Sequence, residues 1–135
     1  MEKIFNTTCI IAGIIGGIAA QIFGAWDTVW CALLVIMVLD YITGVIKAVY
    51  RKELSSEVGY KGILRKIMVL VVVALANVVQ RLTGETAPLR EMVIVFYIAN
   101  EGISVLENAA EILPNMPKQI KDILLQLRGN DNEGE

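Results

Sequence analysis

Residues 4–26 read IFNTTCIIAGIIGGIAAQIFGAW and contain no charged side chain. As a helix this stretch would be about 34 Å long at roughly 1.5 Å per residue, which is enough to cross a hydrocarbon layer of about 30 Å. The apolar core of a secretory signal peptide is much shorter, and here Glu2 accompanies Lys3 in front of the stretch. We therefore expect a retained transmembrane helix at the start of the chain.

Three further apolar stretches are long enough to cross a bilayer. Residues 28–49 contain the acid Asp40, and residues 63–82 have flanking basic side chains that must reach outward to water. Residues 92–113 are the most polar stretch and need protein or water around them. The sequence predicts an all-α integral membrane protein with about four transmembrane helices, three being the alternative.

The segment after the predicted spans is expected to lie outside the membrane-spanning domain, which we place at residues 1–113. Pro114 and Pro117 break the fourth helix, and residues 114–128 are expected to hold a short cytoplasmic amphipathic helix on the inner leaflet or on a neighbouring helix. Residues 129–135 are acidic and contain glycine, so a disordered tail is expected there.

Composition excludes several classes of function. The 135 residues are 56% hydrophobic and 19% charged, with a mean hydropathy of +0.60, too apolar for a freely soluble domain of this size. There is no histidine, and the two cysteines, Cys9 and Cys31, stand alone, which excludes zinc sites and Ser-His or Cys-His catalysis. A net charge of −2 argues against nucleic-acid binding. We expect no enzyme activity, no cofactor and no metal.

Basic residues set the expected orientation, because Lys and Arg are retained on the cytoplasmic side. Ten of the twelve fall on one side of the predicted spans, six of them around the second connection. That cytoplasmic basic loop is expected to comprise Arg51, Lys52, Lys61, Arg65 and Lys66, with Lys47 at its edge. Only Arg81 and Arg90 remain for the other side, so both termini are predicted to be cytoplasmic.

The first predicted helix has a face almost without side chains. Small residues recur on it at Ala12, Gly13, Gly16, Gly17, Ala20 and Gly24, and Gly44 lies in the second helix. In lipid, such faces let helix backbones approach closely. We expect helix packing here, either against the second helix of the same chain or between subunits, and the sequence leaves both open.

Polar residues inside the spans are candidates for a pore or a trigger. An unpaired acid such as Asp40 costs about 2.5–3.5 kcal/mol in the middle of a span. Lys47 shares its helical face and is one candidate partner; a residue of another helix is the other. Asp40 would line a pore, respond to protons or lock an oligomer, or else make only a structural hydrogen bond.

The fourth stretch carries a polar stripe that includes Glu101, Glu107 and Asn108. Such a helix would line water, or would rest at the interface or bury the stripe against other helices.

Three sequence blocks carry a resemblance to a known family. They are residues 40–48 (DYITGVIKA), residues 55–66 (SSEVGYKGILRK) and residues 100–108 (NEGISVLEN). In order and spacing they resemble the signature blocks of the toxin-secretion/phage-lysis holins, over about residues 26–128. The one departure is Gly102, where a bulkier residue is expected.

The resemblance implies a phage or prophage protein that collects in the bacterial cytoplasmic membrane, forms homo-oligomers and opens lesions. An endolysin, or a toxin in some relatives, then leaves the cell without needing direct contact, and the host cell lyses. Two alternatives stay open: a small ion channel or transporter subunit using Asp40 and Glu101 as a coordination or proton-relay site, and an antiholin or membrane scaffold.

Overall fold

The computed structural model describes residues 1–129, and helices are the regular elements throughout this range. They are α1 (Glu2–Phe23), α2 (Thr28–Tyr50), α3 (Ser56–Leu82), α4 (Leu89–Ala110) and α5 (Lys118–Gly129). The predicted all-α architecture is confirmed over this range. Of the predicted tail, residues 130–135 lie outside the described part of the chain.

Local capping determines where the second and third helices begin. Asp27 precedes α2 and its carboxylate accepts a hydrogen bond from the backbone N–H of Trp30. Ser55 precedes α3 in the same way, and its hydroxyl accepts from the N–H of Val58. These contacts satisfy backbone donors that a helix leaves unpaired in its first turn.

The early start of α3 corrects the predicted basic loop. Only residues 51–55 connect α2 to α3, so Lys61, Arg65 and Lys66 lie within a helix and not in a loop. The predicted span began at residue 63, where the hydropathy rises. The helix itself begins seven residues earlier, at Ser56, because Ser55 caps it. Lys, Arg and Glu are good helix formers and do not end a helix.

Three helices, α1, α2 and α3, are long and apolar enough to cross a membrane. The fourth predicted stretch forms α4, which begins and ends three residues earlier than expected. It is the most enclosed element: it packs against α2, α3 and α5, and its buried residues include Arg90, Glu101 and Asn108. From its sequence, this polar stretch is expected to need protein or water around it, and three other helices surround it in the structure.

The apolar core lies where α2, α3 and α4 meet. It is formed by Trp30, Leu33, Met37, Val69, Val73 and Ile94. The outward faces of the same helices are also apolar, with Val35, Ile46 and Val71 at least half exposed. A surface of this kind is unfavourable in water and suited to lipid.

Helix α1 has no buried residue and packs against α3, not along α2. A side chain added at Gly13, Gly16 or Gly17 would meet nothing within 4 Å. Packing of the small-residue face against the second helix, one of the two expected arrangements, is therefore not found among residues 1–129.

Helix α5 folds back against α4. A Cβ atom at Gly102 would lie only 3.0 Å from Leu124 Cδ2, so the missing side chain leaves room for this leucine. The residue that departs from the family pattern thus lies where α5 packs. Of the two expected positions of the amphipathic helix, the structure has the one against a neighbouring helix.

Candidate functional site: a polar cluster within the helix bundle

Three charged residues lie at matching heights in neighbouring helices. Asp40 is ten residues before the end of α2, Lys66 is ten residues after the start of α3, and Glu101 is nine residues before the end of α4. At roughly 1.5 Å per residue, each is about 15 Å from the same end of the bundle. In helices of this length, that is close to the middle of a membrane span.

Lys66 joins the two acids. Its Nζ donates to Asp40 Oδ2 at 2.5 Å and also to Glu101 Oε2. Only 14% of the Lys66 side chain, 14% of Asp40 and 8% of Glu101 is exposed. Burial of an isolated charge is costly, and the mutual attraction of the three groups offsets this cost.

Asn108 extends the network toward the nearby end of α2. Its Nδ2 donates to Asp40 Oδ1 and to Thr43 Oγ1, both at 3.2 Å, so each oxygen of the Asp40 carboxylate has a partner. Its Oδ1 accepts a hydrogen bond from Lys47 Nζ at 3.3 Å. Gly44 leaves space beside it, because an added Cβ would lie 3.7 Å from Asn108 Nδ2.

We call this network the polar cluster; it consists of Asp40, Thr43, Lys47, Lys66, Glu101 and Asn108. Every member comes from one of the three sequence blocks that carry the family resemblance. These blocks lie far apart in the sequence and meet in space.

Four of the five predicted pore or trigger residues lie in the polar cluster, and Glu107 does not. Glu107 is exposed on α4, away from Asp40. The partner of Asp40 also differs from the one considered in its own helix: it is Lys66, while Lys47 contacts Asn108.

Lys66 was expected to reach outward from a basic loop, and the structure corrects this. Two carboxylates on other helices hold its ammonium inside the bundle. Spacing within one helix carries no information on such a contact. One feature of the sequence could have indicated the pair, because an acid inside a span requires a cation nearby. Lys66 is the lysine next to the uncharged centre of the third span.

The remaining basic residues of this region lie nearer the surface. Arg51 pairs with Glu111 at 2.8 Å, and Lys61 pairs with Glu57 at 2.7 Å one helical turn away. These pairs are exposed, and exposed pairs contribute at most about 1 kcal/mol.

The opposite end of the bundle is held by Arg90, which is 3% exposed. Its guanidinium donates to Asp27 Oδ2 at 2.8 Å and to the backbone oxygens of Phe23 and Ala25 at 2.5 and 2.9 Å. Gly24 makes this approach possible: its φ is +86°, and an added Cβ would lie 2.5 Å from Arg90 Nε. Gly24, predicted to belong to the helix-packing face, therefore shapes a turn.

The hydrogen bond from Arg90, with a smaller contribution from the Trp30 N–H and opposed by partial burial, holds the pKa of Asp27 below its ordinary value of 3.8. The ionised form is thus favoured in the folded chain. Its stabilising contribution is present above that value and is lost as the pH falls through the lowered pKa.

Apolar helices that enclose charged side chains near their middle define a multi-span membrane protein. The chain belongs to the bacteriophage holin family, whose model matches residues 17–129. This family comprises membrane-permeabilising proteins that are not enzymes.

The chain is also similar to several curated proteins. A probable holin of Bacillus phage phi105 is 38% identical over 75% of this chain and 75% of its own length. Two uncharacterized proteins of Clostridium perfringens are 45% and 42% identical; they match 94% and 92% of this chain over 97% and 94% of their own lengths. No solved structure matches the chain.

Proposed function

We propose that the chain is a holin that assembles with copies of itself in the bacterial cytoplasmic membrane and opens lesions. An endolysin or a toxin passes through them without needing to bind the chain, and lysis of the host follows. In this proposal α1 to α4 all cross the membrane and both termini are cytoplasmic. Most basic residues then lie on the inner side.

The observation that carries the proposal is the polar cluster enclosed by apolar helices, in a chain of the bacteriophage holin family. Charges at this depth cost free energy if they face lipid, and they are compatible with water. A single chain hides them within its own bundle. Assembly into a ring would allow them to face water, which gives the two-state behaviour that a timed lesion requires.

The free face of α1 supports self-association. Among residues 1–129, a side chain added at Gly13, Gly16 or Gly17 would meet nothing within 4 Å, although the Trp26 indole N–H donates to the Gly16 carbonyl oxygen at 3.1 Å. A second copy could therefore approach closely there. We place the contact between subunits at this face, centred on Gly16.

The function is tested by induced expression in a bacterium, with and without a co-expressed peptidoglycan hydrolase. We expect an abrupt loss of viability, entry of a membrane-impermeant dye, and lysis only when the hydrolase is present. Selective ion flux without dye entry would instead favour the ion-channel alternative.

The same assay tests the α1 contact through Gly16→Leu, which should delay or abolish dye entry and reduce crosslinked oligomers at equal membrane abundance. Ile15→Leu is the matched control, because Ile15 is exposed on the same helix and the change conserves its size and hydropathy. Equal timing in the two variants would contradict a contact at this face.

A further inference from the structure

A cavity of about 330 Å³ lies beside the polar cluster, between the end of α2 and the start of α3. Part of its wall is apolar, formed by Val45, Leu54 and Val58. Tyr41 also lines it and packs against the glycines of α3; an added Cβ at Gly59 would lie 3.4 Å from the Tyr41 hydroxyl. The cavity therefore offers an apolar surface close to charged groups.

Cations outnumber acids around this cavity. The five cations are Lys47, Arg51, Lys61, Arg65 and Lys66, and the two acids are Asp40 and Glu53. Carboxylates compensate three of the cations: Lys66 has Asp40 and Glu101, Arg51 has Glu111, and Lys61 has Glu57.

Lys47 and Arg65 remain without a compensating charge. Within residues 1–129, no carboxylate oxygen lies within the 4 Å of an ion pair from either side chain. Lys47 is partly buried, and the contact of its Nζ is with the neutral amide oxygen of Asn108. A partly buried cation without a counter-ion is costly, and an anion bound nearby would remove that cost.

The position of the cavity indicates which anion. Lys47 is three residues before the end of α2, about 5 Å along the helix at roughly 1.5 Å per residue. This places the Lys47 end of the cavity at the border between hydrocarbon and headgroups. A lipid phosphate there would meet the cations while its acyl chains followed the apolar wall.

We propose that this cavity binds the phosphate of an anionic phospholipid headgroup, with Lys47 and Arg65 as its charge partners. Free phosphate has the same charge chemistry but leaves the apolar wall unfilled. The proposal depends on a membrane location and not on lesion formation, so it can be tested separately from the proposed function.

The test uses the purified full chain in an uncharged detergent and measures its apparent melting temperature at constant ionic strength. The probes are dioctanoylphosphatidylglycerol, dioctanoylphosphatidylcholine and inorganic phosphate. We expect phosphatidylglycerol to raise the melting temperature in a saturable way and phosphatidylcholine to have little effect, because a ligand that binds the folded state stabilises it.

The variants are Lys47→Gln and Lys121→Gln. Glutamine can still donate to Asn108, so the first change removes mainly the charge; the second removes a charge from an exposed site on α5, outside the cavity. Affinity for phosphatidylglycerol should fall about fivefold in Lys47→Gln, since each cation near a lipid surface contributes about 1 kcal/mol, and should be unchanged in Lys121→Gln. Arg65→Gln gives a second measurement should Lys47→Gln fold poorly.

Each other outcome overturns a stated part of the proposal. If inorganic phosphate raised the melting temperature equally, and Lys47→Gln removed the effect, the cavity would bind phosphate and the lipid part of the proposal would be wrong. An equal shift with phosphatidylcholine would overturn the requirement for an anion. Equal losses in Lys47→Gln and Lys121→Gln, or no shift with any probe, would overturn the site.

Discussion

Lys66 holds two carboxylates of other helices within the bundle, so one lysine connects α2, α3 and α4. Glu101 depends on it most directly, because Lys66 donates the hydrogen bond to its carboxylate, whereas Asp40 also accepts one from the amide of Asn108. Removal of one partner from a buried ion pair leaves an uncompensated charge, which costs more than the pair contributes when intact. At the scale of single residues, Lys66 is therefore the position where a small change should have the largest effect.

Lys66→Met should lower the free energy of unfolding by about 3–5 kcal/mol, because it leaves two acids without their cation. Lys61→Met is the matched control on the same helix; its side chain is 71% exposed, and a loss of at most about 1 kcal/mol is expected. Both are measured by denaturant titration in mixed micelles. Adding Asp40→Asn to Lys66→Met should recover part of the loss. Equal losses in the two single variants would contradict a structural role for the Lys66 ion pairs.

At the scale of elements, α4 organises the bundle although it carries the buried charged residues Arg90 and Glu101. Its neighbours α2 and α3 enclose Glu101, and α5 covers the position of Gly102. The absence of a side chain at Gly102 lets Leu124 approach α4 closely. The docking of α5 therefore depends on one small residue.

Gly102→Leu should displace α5, because overpacking at a close contact costs about 1–3 kcal/mol. The readout is maleimide labelling of a cysteine placed at the partly buried Leu125, in a background without Cys9 and Cys31. Labelling should become about tenfold faster, the equivalent of roughly 1.4 kcal/mol. Ala110→Leu adds a similar volume at an exposed position of α4 and should not change the rate. Unchanged labelling in Gly102→Leu would show that α5 does not depend on this contact.

The outer surface of the whole molecule is largely apolar, and most of its charges lie inside or toward its two ends. The polar cluster lies near the middle, the Arg90 contacts hold one end, and the basic residues around the short connection of residues 51–55 lie at the other. This distribution matches a bilayer with its two interfaces. It also predicts which end faces the cytoplasm, since basic residues are retained there.

Single cysteines at Ser56, Thr86 and Gln126, in a cysteine-free chain, test the proposed orientation. Before any lesion opens, an impermeant thiol reagent added to intact cells should modify only Thr86→Cys, because the connection between α3 and α4 is expected outside. Labelling at Ser56 would reverse the orientation. Protection at Thr86 together with labelling at Gln126 would mean three spans in place of four.

The helical class, the apolar helices and the set of polar residues could all be predicted from the amino-acid sequence, because each depends on composition or spacing along the chain. Length and hydropathy predicted α1 and α2 within a few residues, and three blocks of sequence indicated the family. The start of α3 was missed, because a serine cap and not hydropathy determines it.

Which residues pair became known from the packing of the helices in three dimensions. Lys66 joins Asp40 and Glu101 from two other helices, and Arg90 binds backbone oxygens near Gly24. Among residues 1–129, an added Cβ at positions 13, 16 and 17 of α1 would meet no atom within 4 Å. These contacts depend on the rotation and relative height of neighbouring helices. The packing of the helices against one another sets this rotation and height, and the periodicity of a single helix carries no information on either.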